Sequence, residues 1–179
     1  MGRETPRPSA ARDDYATQLR RAREPFLSLV EALGFSDAVA TLLRSSRRFL
    51  EENPDEFGPI LARGTRDEGA LWYAAEAAEF ARRDMGYDVR TIPGPDAAVI
   101  PARIFSIIAY RHPFFDGNKR TAFISASILG LSMGYRIRSV PYAELEEEVR
   151  ELTAREAAEG EVSAWFLTNV FIVEEAGGS

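Results

Sequence analysis

Two neighbouring stretches of the chain are apolar on most sides. Val99, Ile100, Phe105, Ile107, Ile108 and Tyr110 predict a helix with apolar flanks nearly all round, which belongs at the centre of a fold. It reaches Arg111, and His112-Pro113 ends it, because proline disfavours helical geometry in the residue before it. A second apolar helix is predicted from Asn118 to a glycine stop at Gly134. Beyond it Tyr135 and Ile137 alternate with Arg136 and Arg138, the period of a short extended piece.

The segments around this pair are more polar, and most are helical. A polar helix is expected from Asp14 toward Leu33, stopped by Gly34, with Pro25 kinking it or dividing it in two. A second is expected to start after Ser36 and end before Asn53-Pro54. Phe57 to Arg66 holds two glycines and a proline and reads as a loop or short extended element. Thr65 and Glu68 have the spacing of a capping box, opening a helix that ends near Gly86 with Arg82 and Arg83 in its last turn. Pro93-Gly94-Pro95 breaks the chain before the central helix. Pro141 opens an acidic helix, and a last helix is expected around Val162 to Glu174. The fold class is all-α, a compact helical bundle with one or two short extended elements at most. The expected division is a disordered leader over 1–12, an N-terminal helical extension over 13–52 and a catalytic domain over 53–175.

Composition narrows the function classes. The 179 residues carry a formal net charge of −6, without the positive excess that would hold nucleic acid by its phosphates. There is no cysteine, so disulfides and cysteine-ligated zinc are excluded. The N-terminal residues lack the apolar core of a signal peptide. The longest apolar run, Ala122 to Met133, is too short for a bilayer, which takes about 20 residues. The expected location is cytoplasmic.

Candidate chemistry concentrates in His112-Pro113-Phe114-Phe115-Asp116-Gly117-Asn118-Lys119-Arg120, between the two apolar helices. His112 is the only histidine in the chain. A lone histidine is more often structural than catalytic, but its neighbours change that reading. Gly117 permits a tight loop, and Asn118 is a natural N-cap. Lys119 and Arg120 then fall in the first helical turn, where the helix already carries partial positive charge and favours acids. Either cation alone reads as a solvated surface residue. Together with the free N–H groups and the glycine they form a cradle for a polyphosphate. Asp116 could cap the turn, or hold Mg²⁺ jointly with substrate phosphates. His112 suits removal of a proton from an attacking hydroxyl, since an imidazole is the side chain whose charge changes around neutral pH. Of Phe114 and Phe115, one is expected to anchor the loop to the core. The chain has no P-loop, no protein-kinase signature and no H-E-x-x-H.

The segment HPFFDGNKRTAF resembles the signature of the Fic/Doc superfamily. Fic proteins are similar to H-x-F-x-[D/E]-G-N-G-R-x-x-R, and the death-on-curing (Doc) branch to H-x-F-x-D-[A/G]-N-K-R-T-A. Lys119 stands where Fic enzymes place a glycine, and Phe123 where they place a second arginine, so both departures point toward Doc. Flanking likenesses extend the resemblance over residues 50–175. It implies a small helical bundle with a short flap or β-hairpin and the motif loop at the mouth of a central helix pair. It further implies His112 as general base, Asp116 as the Mg²⁺ ligand, Gly117, Asn118, Lys119 and Arg120 as the phosphate binders, and ATP as co-substrate. The Doc branch includes toxin kinases acting on the translation machinery, whereas Fic enzymes transfer AMP to a Ser, Thr or Tyr hydroxyl. The two chemistries need opposite nucleotide orientations, and Lys119 together with Phe123 favours γ-phosphate transfer to a protein hydroxyl.

Many Fic proteins are restrained by a glutamate in [S/T]-x-x-x-E-[G/N]. Glu68-Gly69 and Glu159-Gly160 have Gly64 and Arg155 four residues before the glutamate, so neither fits. Restraint would then come from a separate antitoxin or from residues 1–50. Two other classes stay open. One is a catalytically silent nucleotide-binding module, which the presence of both His112 and Asp116 opposes. The other is an interaction protein using the acidic face Glu144, Glu146, Glu147, Glu148, a run that is usually a solvated helix face.

Overall fold

The apolar pattern places two helices at the centre, and the chain folds around them. The computed structural model describes residues 8–173, with side chains from Arg21 onward. α5 (Val99–Arg111) and α6 (Asn118–Met133) pack along each other. Ile100, Ile104, Phe105 and Ile108 of α5 are fully buried, as are Ala122, Ala126, Leu129 and Met133 of α6. α4 (Glu68–Asp84) lies against α5 through Ala70, Ala74, Ala75, Ala78 and Ala81, a face of small side chains that lets the backbones approach closely. α2 (Phe35–Glu52) packs on α6 and α4 with Val39, Leu43 and Leu50 inward. Although the sequence assigned α2 to an extension, it shares one core with the central pair.

The remaining elements close the bundle. α1 (Pro8–Leu33) crosses α2 and α6, and α8 (Glu159–Asn169) covers α5. α3 (Pro54–Phe57) is a single turn, and α7 (Tyr142–Ala154) lies near the start of α6. Arg23 of α1 donates from Nη1 to the Met133 carbonyl at 2.9 Å and from Nη2 to the Arg90 carbonyl at 2.8 Å, satisfying an orphan acceptor at the end of α6. β1 (Arg136–Ile137) and β2 (Phe171–Ile172) form an antiparallel pair with Arg136 opposite Ile172 and Ile137 opposite Phe171. The class is all-α with one small hairpin-like pair, as expected. No helix among the described residues is long and apolar enough to cross a membrane.

Four local expectations differ from the structure. α1 begins at Pro8, so residues 8–12 are helical rather than part of a leader; residues 1–7 lie outside the described residues. Proline at a helix start loses nothing, because its missing N–H would be unpaired there anyway. Pro25 lies inside one continuous helix rather than between two pieces. The cap of α4 is Asp67, whose Oδ1 accepts from the Ala70 N–H at 3.2 Å, while Thr65 is drawn into a bridge with Phe114. Finally, the last helix starts at Glu159 and stops at Asn169, and Phe171 and Ile172 leave it for β2. The expected end, Glu174, lies outside the described residues.

Phe171 accounts for that departure. Its ring stacks on Tyr135 with centroids 4.7 Å apart and planes 9° from parallel. It also lies over Gly130, where a Cβ would overlap the ring. The bare backbone of α6 at Gly130 is therefore what admits β2. Gly130→Ala is expected to lower stability by about 1–3 kcal/mol through overpacking, against the usual gain of alanine in a helix. Urea unfolding checks this; an unchanged or raised midpoint would contradict the packing.

Candidate active site

The loop from α5 to α6 is built from backbone geometry first. α5 ends at His112, which takes the left-handed conformation with φ 52° and ψ 60°. A non-glycine residue there is strained, and such residues persist only where the surroundings over-determine them. Here the His112 N–H still donates to the Ile108 carbonyl at 3.2 Å, and the His112 carbonyl accepts from Arg66 Nε at 3.1 Å. The next carbonyl, of Pro113, accepts from the N–H groups of both Arg66 and Asp67, at 2.7 and 3.0 Å. Thr65 and Phe114 form an antiparallel bridge. Residues 58–67 thus lie as a flap along the loop.

Phe114 is the anchor and Phe115 is exposed. Asn118 is the first residue of α6 rather than its cap, the cap position being Gly117 at φ 73°. Its side chain turns back instead. Oδ1 accepts from the Phe114 N–H at 2.9 Å and Nδ2 donates to the Phe114 carbonyl at 2.8 Å, both buried. Gly117 is required by space as well as by φ, because a Cβ would meet Ile60 Cδ1 and crowd Arg47 Nη1.

Asp116 is held on three sides. Oδ2 accepts from the Leu61 N–H at 2.7 Å, Oδ1 accepts from the Gly117 N–H at 2.8 Å, and Arg120 Nη2 stands 3.7 Å from Oδ2. The Leu61 N–H, then the Gly117 N–H and the positive charges of Arg120 and Arg47, hold its carboxyl below the usual carboxylate range. Arg120 donates from Nη1 to the carbonyls of Phe57 and Pro59, each at 3.1 Å, and so ties α6 to the flap. Lys119 is exposed and has no hydrogen bond or ion pair among the described residues.

A cleft of about 370 Å³ brings the sequence candidates together. His112, Asp116, Gly117, Asn118, Lys119 and Arg120 all line it, facing Tyr142, Glu146 and Arg150 of α7. The first-turn N–H groups of α6 lack intrahelical acceptors, as at any helix start. With the Lys119 ammonium they suit a phosphate. No group of three or more metal-ligating side chains occurs among the described residues. A divalent ion held by Asp116 would therefore complete its shell with substrate phosphates and water, the usual arrangement for Mg²⁺.

Sequence reasoning missed Arg47 and the α7 residues that face the loop. Arg47 of α2 is 5% exposed. It donates from Nη1 to the Asp116 carbonyl at 2.7 Å and to Thr121 Oγ1 at 3.0 Å, pairs through Nε with Glu51 at 2.9 Å, and lies 4.4 Å above the Phe114 ring. The available signal was a charged residue on the apolar stripe of α2, one turn from Leu43 and from Leu50. The α7 residues gave no such signal. Glu146 and Arg150 pair at 2.9 Å with the spacing of any exposed helix pair, and only the fold turns them toward the loop. Burial pushes the Tyr142 phenol up to about 12, so it faces the cleft as a neutral group at pH 7.

Residues 39–129, about half of the chain, match the Fic/DOC family. The match runs from within α2 to within α6 and includes Arg47 and the whole loop. No curated protein and no solved structure matches the chain.

Asn118→Ala would leave the Phe114 N–H and C=O buried without partners, and is expected to cost about 1–3 kcal/mol for each orphaned group. A chemical denaturation difference below 1 kcal/mol would mean that water replaces the amide. Asp116 adds a pH signature. Its folded pKa is depressed, so its stabilisation is fully present above the ordinary Asp value of about 3.9 and is lost as pH falls through the lower folded value. The stability gap between wild type and Asp116→Asn is expected to stand at pH 7 and close in acid. A gap that does not change with pH would rule out the charged hydrogen bonds as its source.

Proposed function

The chain belongs to the Fic/DOC family, and on that premise we propose that it is a nucleotide-dependent protein modifier that transfers the γ-phosphate of ATP to a protein hydroxyl, as the death-on-curing branch does. The observation that carries this reading is the pair of Lys119 and Phe123. Lys119 stands on the first turn of α6 with an unengaged ammonium, where a Fic enzyme has a glycine and open space. Phe123, in place of the second Fic arginine, is buried against Tyr142 and Phe166 with ring centroids 5.1 and 6.1 Å away. A neutral core ring at that position supplies no charge to the cleft, and Lys119 supplies it from one turn earlier.

In this mechanism His112 takes the proton of the acceptor hydroxyl as its oxygen attacks the γ-phosphorus. The bond from the γ-phosphorus to the β–γ bridging oxygen breaks, and ADP leaves. The helix-start N–H groups and the Lys119 ammonium stabilise the charge on the transferring group. Arg120 adds positive charge while its Nη1 holds the flap. Asp116 would hold Mg²⁺, which when bound neutralises phosphate charge. The acceptor is a side-chain hydroxyl on a protein, with a translation factor as the target class that the branch suggests. A separate antitoxin is the fitting restraint, since the chain lacks the inhibitory glutamate motif.

The test uses ATP labelled separately at the α and γ positions, with cell lysate as the source of target. The γ label is expected to reach protein and the α label is not. His112→Ala should fold and bind nucleotide yet lose transfer by roughly 10²–10⁴-fold. Lys119→Gly should lower γ transfer and open partial AMP transfer. Transfer of the α label by the wild type, with a mass gain of one AMP on the target, would replace this reading with Fic-type adenylylation.

A further inference from the structure

A second cavity, of about 280 Å³, lies between α2 and the flap and shares no lining residue with the cleft. Arg44, Arg47 and Arg48 of α2 and Arg63 of the flap line it, together with Gly64, Thr65, Leu71, Phe114, Glu51 and Glu68. Both carboxylates are engaged. Glu51 accepts from Arg47 Nε at 2.9 Å, and Glu68 stands 3.5 Å from Arg44 Nη2. Arg48 and Arg63 have no hydrogen bond or ion pair among the described residues, so the lining carries two unneutralised positive charges. That concentration occurs in a chain whose net charge is −6.

The ordinary reading is a solvated row of arginines. Arg47 argues against it. It is 5% exposed, and its Nη2 is buried with no hydrogen-bond partner among the described residues. A buried guanidinium that is only partly compensated is costly unless a further anion approaches. The Thr65 hydroxyl is also without a partner among the described residues and can donate. Guanidinium forks match tetrahedral oxyanions, and an excess charge of two matches a dianion.

We propose that Arg44, Arg48, Arg63 and the Thr65 hydroxyl, with Arg47 as the buried floor, bind the dianionic phosphate group of a small ligand at a site distinct from the catalytic cleft. The site does not depend on which group the cleft transfers. Its size admits free phosphate or a small phosphate monoester.

Calorimetric titration of the full chain with inorganic phosphate, at pH 7.5 and fixed ionic strength, tests the site. Saturable binding is expected to persist in Lys119→Ala, where the cleft's own hold on phosphate is weakened, and adding Arg48→Glu/Arg63→Glu to that background should weaken it at least tenfold. Arg48→Gln/Arg63→Gln is the neutral counterpart should charge reversal perturb folding, and it should weaken binding in the same direction. Repeating the titration with glycerol phosphate distinguishes the sources: tighter binding assigns the site to an ester, weaker binding to free phosphate. Absence of saturable binding, or a loss in Lys119→Ala as large as in the arginine variants, would overturn the proposal.

Discussion

The side-chain amide of Asn118 accepts from the Phe114 N–H and donates to the Phe114 carbonyl, at 2.9 and 2.8 Å and out of water. Five residues are thereby closed into a ring by one side chain. Phe114 must point inward for the amide to reach its backbone on both sides, and with Phe114 fixed the chain has only Phe115, Asp116 and Gly117 with which to re-enter a helix. The left-handed Gly117 and the outward Asp116 carboxylate follow from that short closure. Glutamine carries the same amide but is one methylene longer.

The charges around the loop answer one another across chain segments. Two cations at a helix start oppose the helix's own field. In this fold Asp116 lies beside one of them, and the carbonyls of Phe57 and Pro59 take the same guanidinium. The other, Lys119, is left to the cleft. The flap is held through its own backbone N–H groups at Leu61, Arg66 and Asp67, and the Arg66 guanidinium adds bonds to the carbonyls of His112 and Arg111.

Much of this was legible in the sequence because it depends on local signals. The central helices announce themselves by apolar flanks, and their ends by His112-Pro113 and Gly134. The site candidates are contiguous, so recognising the loop gathered His112, Asp116, Gly117, Asn118, Lys119 and Arg120 at once, and the cleft does bring them together. What escaped depends on distant partners. β2 exists because Phe171 finds Tyr135 and the bare backbone at Gly130, and neither contact has a trace near residue 171. Asn118 was read as a cap because its type favours caps, whereas tertiary closure gave its amide a better pair of partners. Arg47 looked like one arginine among several on a polar helix; its burial is decided by Asp116, Thr121 and Phe114, all more than sixty residues away.

That last separation bears on how the protein is made. A ribosome delivers α2 long before the loop that Arg47 supports, since Asp116 comes 69 positions after Arg47. Until the loop emerges, Arg47 is a charge on the apolar stripe of an unfinished helix pair, and it resists early collapse of α2 onto α4. The metal-ligand candidate, in turn, arrives to find its support already synthesised. Chains released before α6 would carry α2, the flap and α4 but no assembled site. The candidate site therefore assembles only when the N-terminal and central parts of the chain have both emerged and close together.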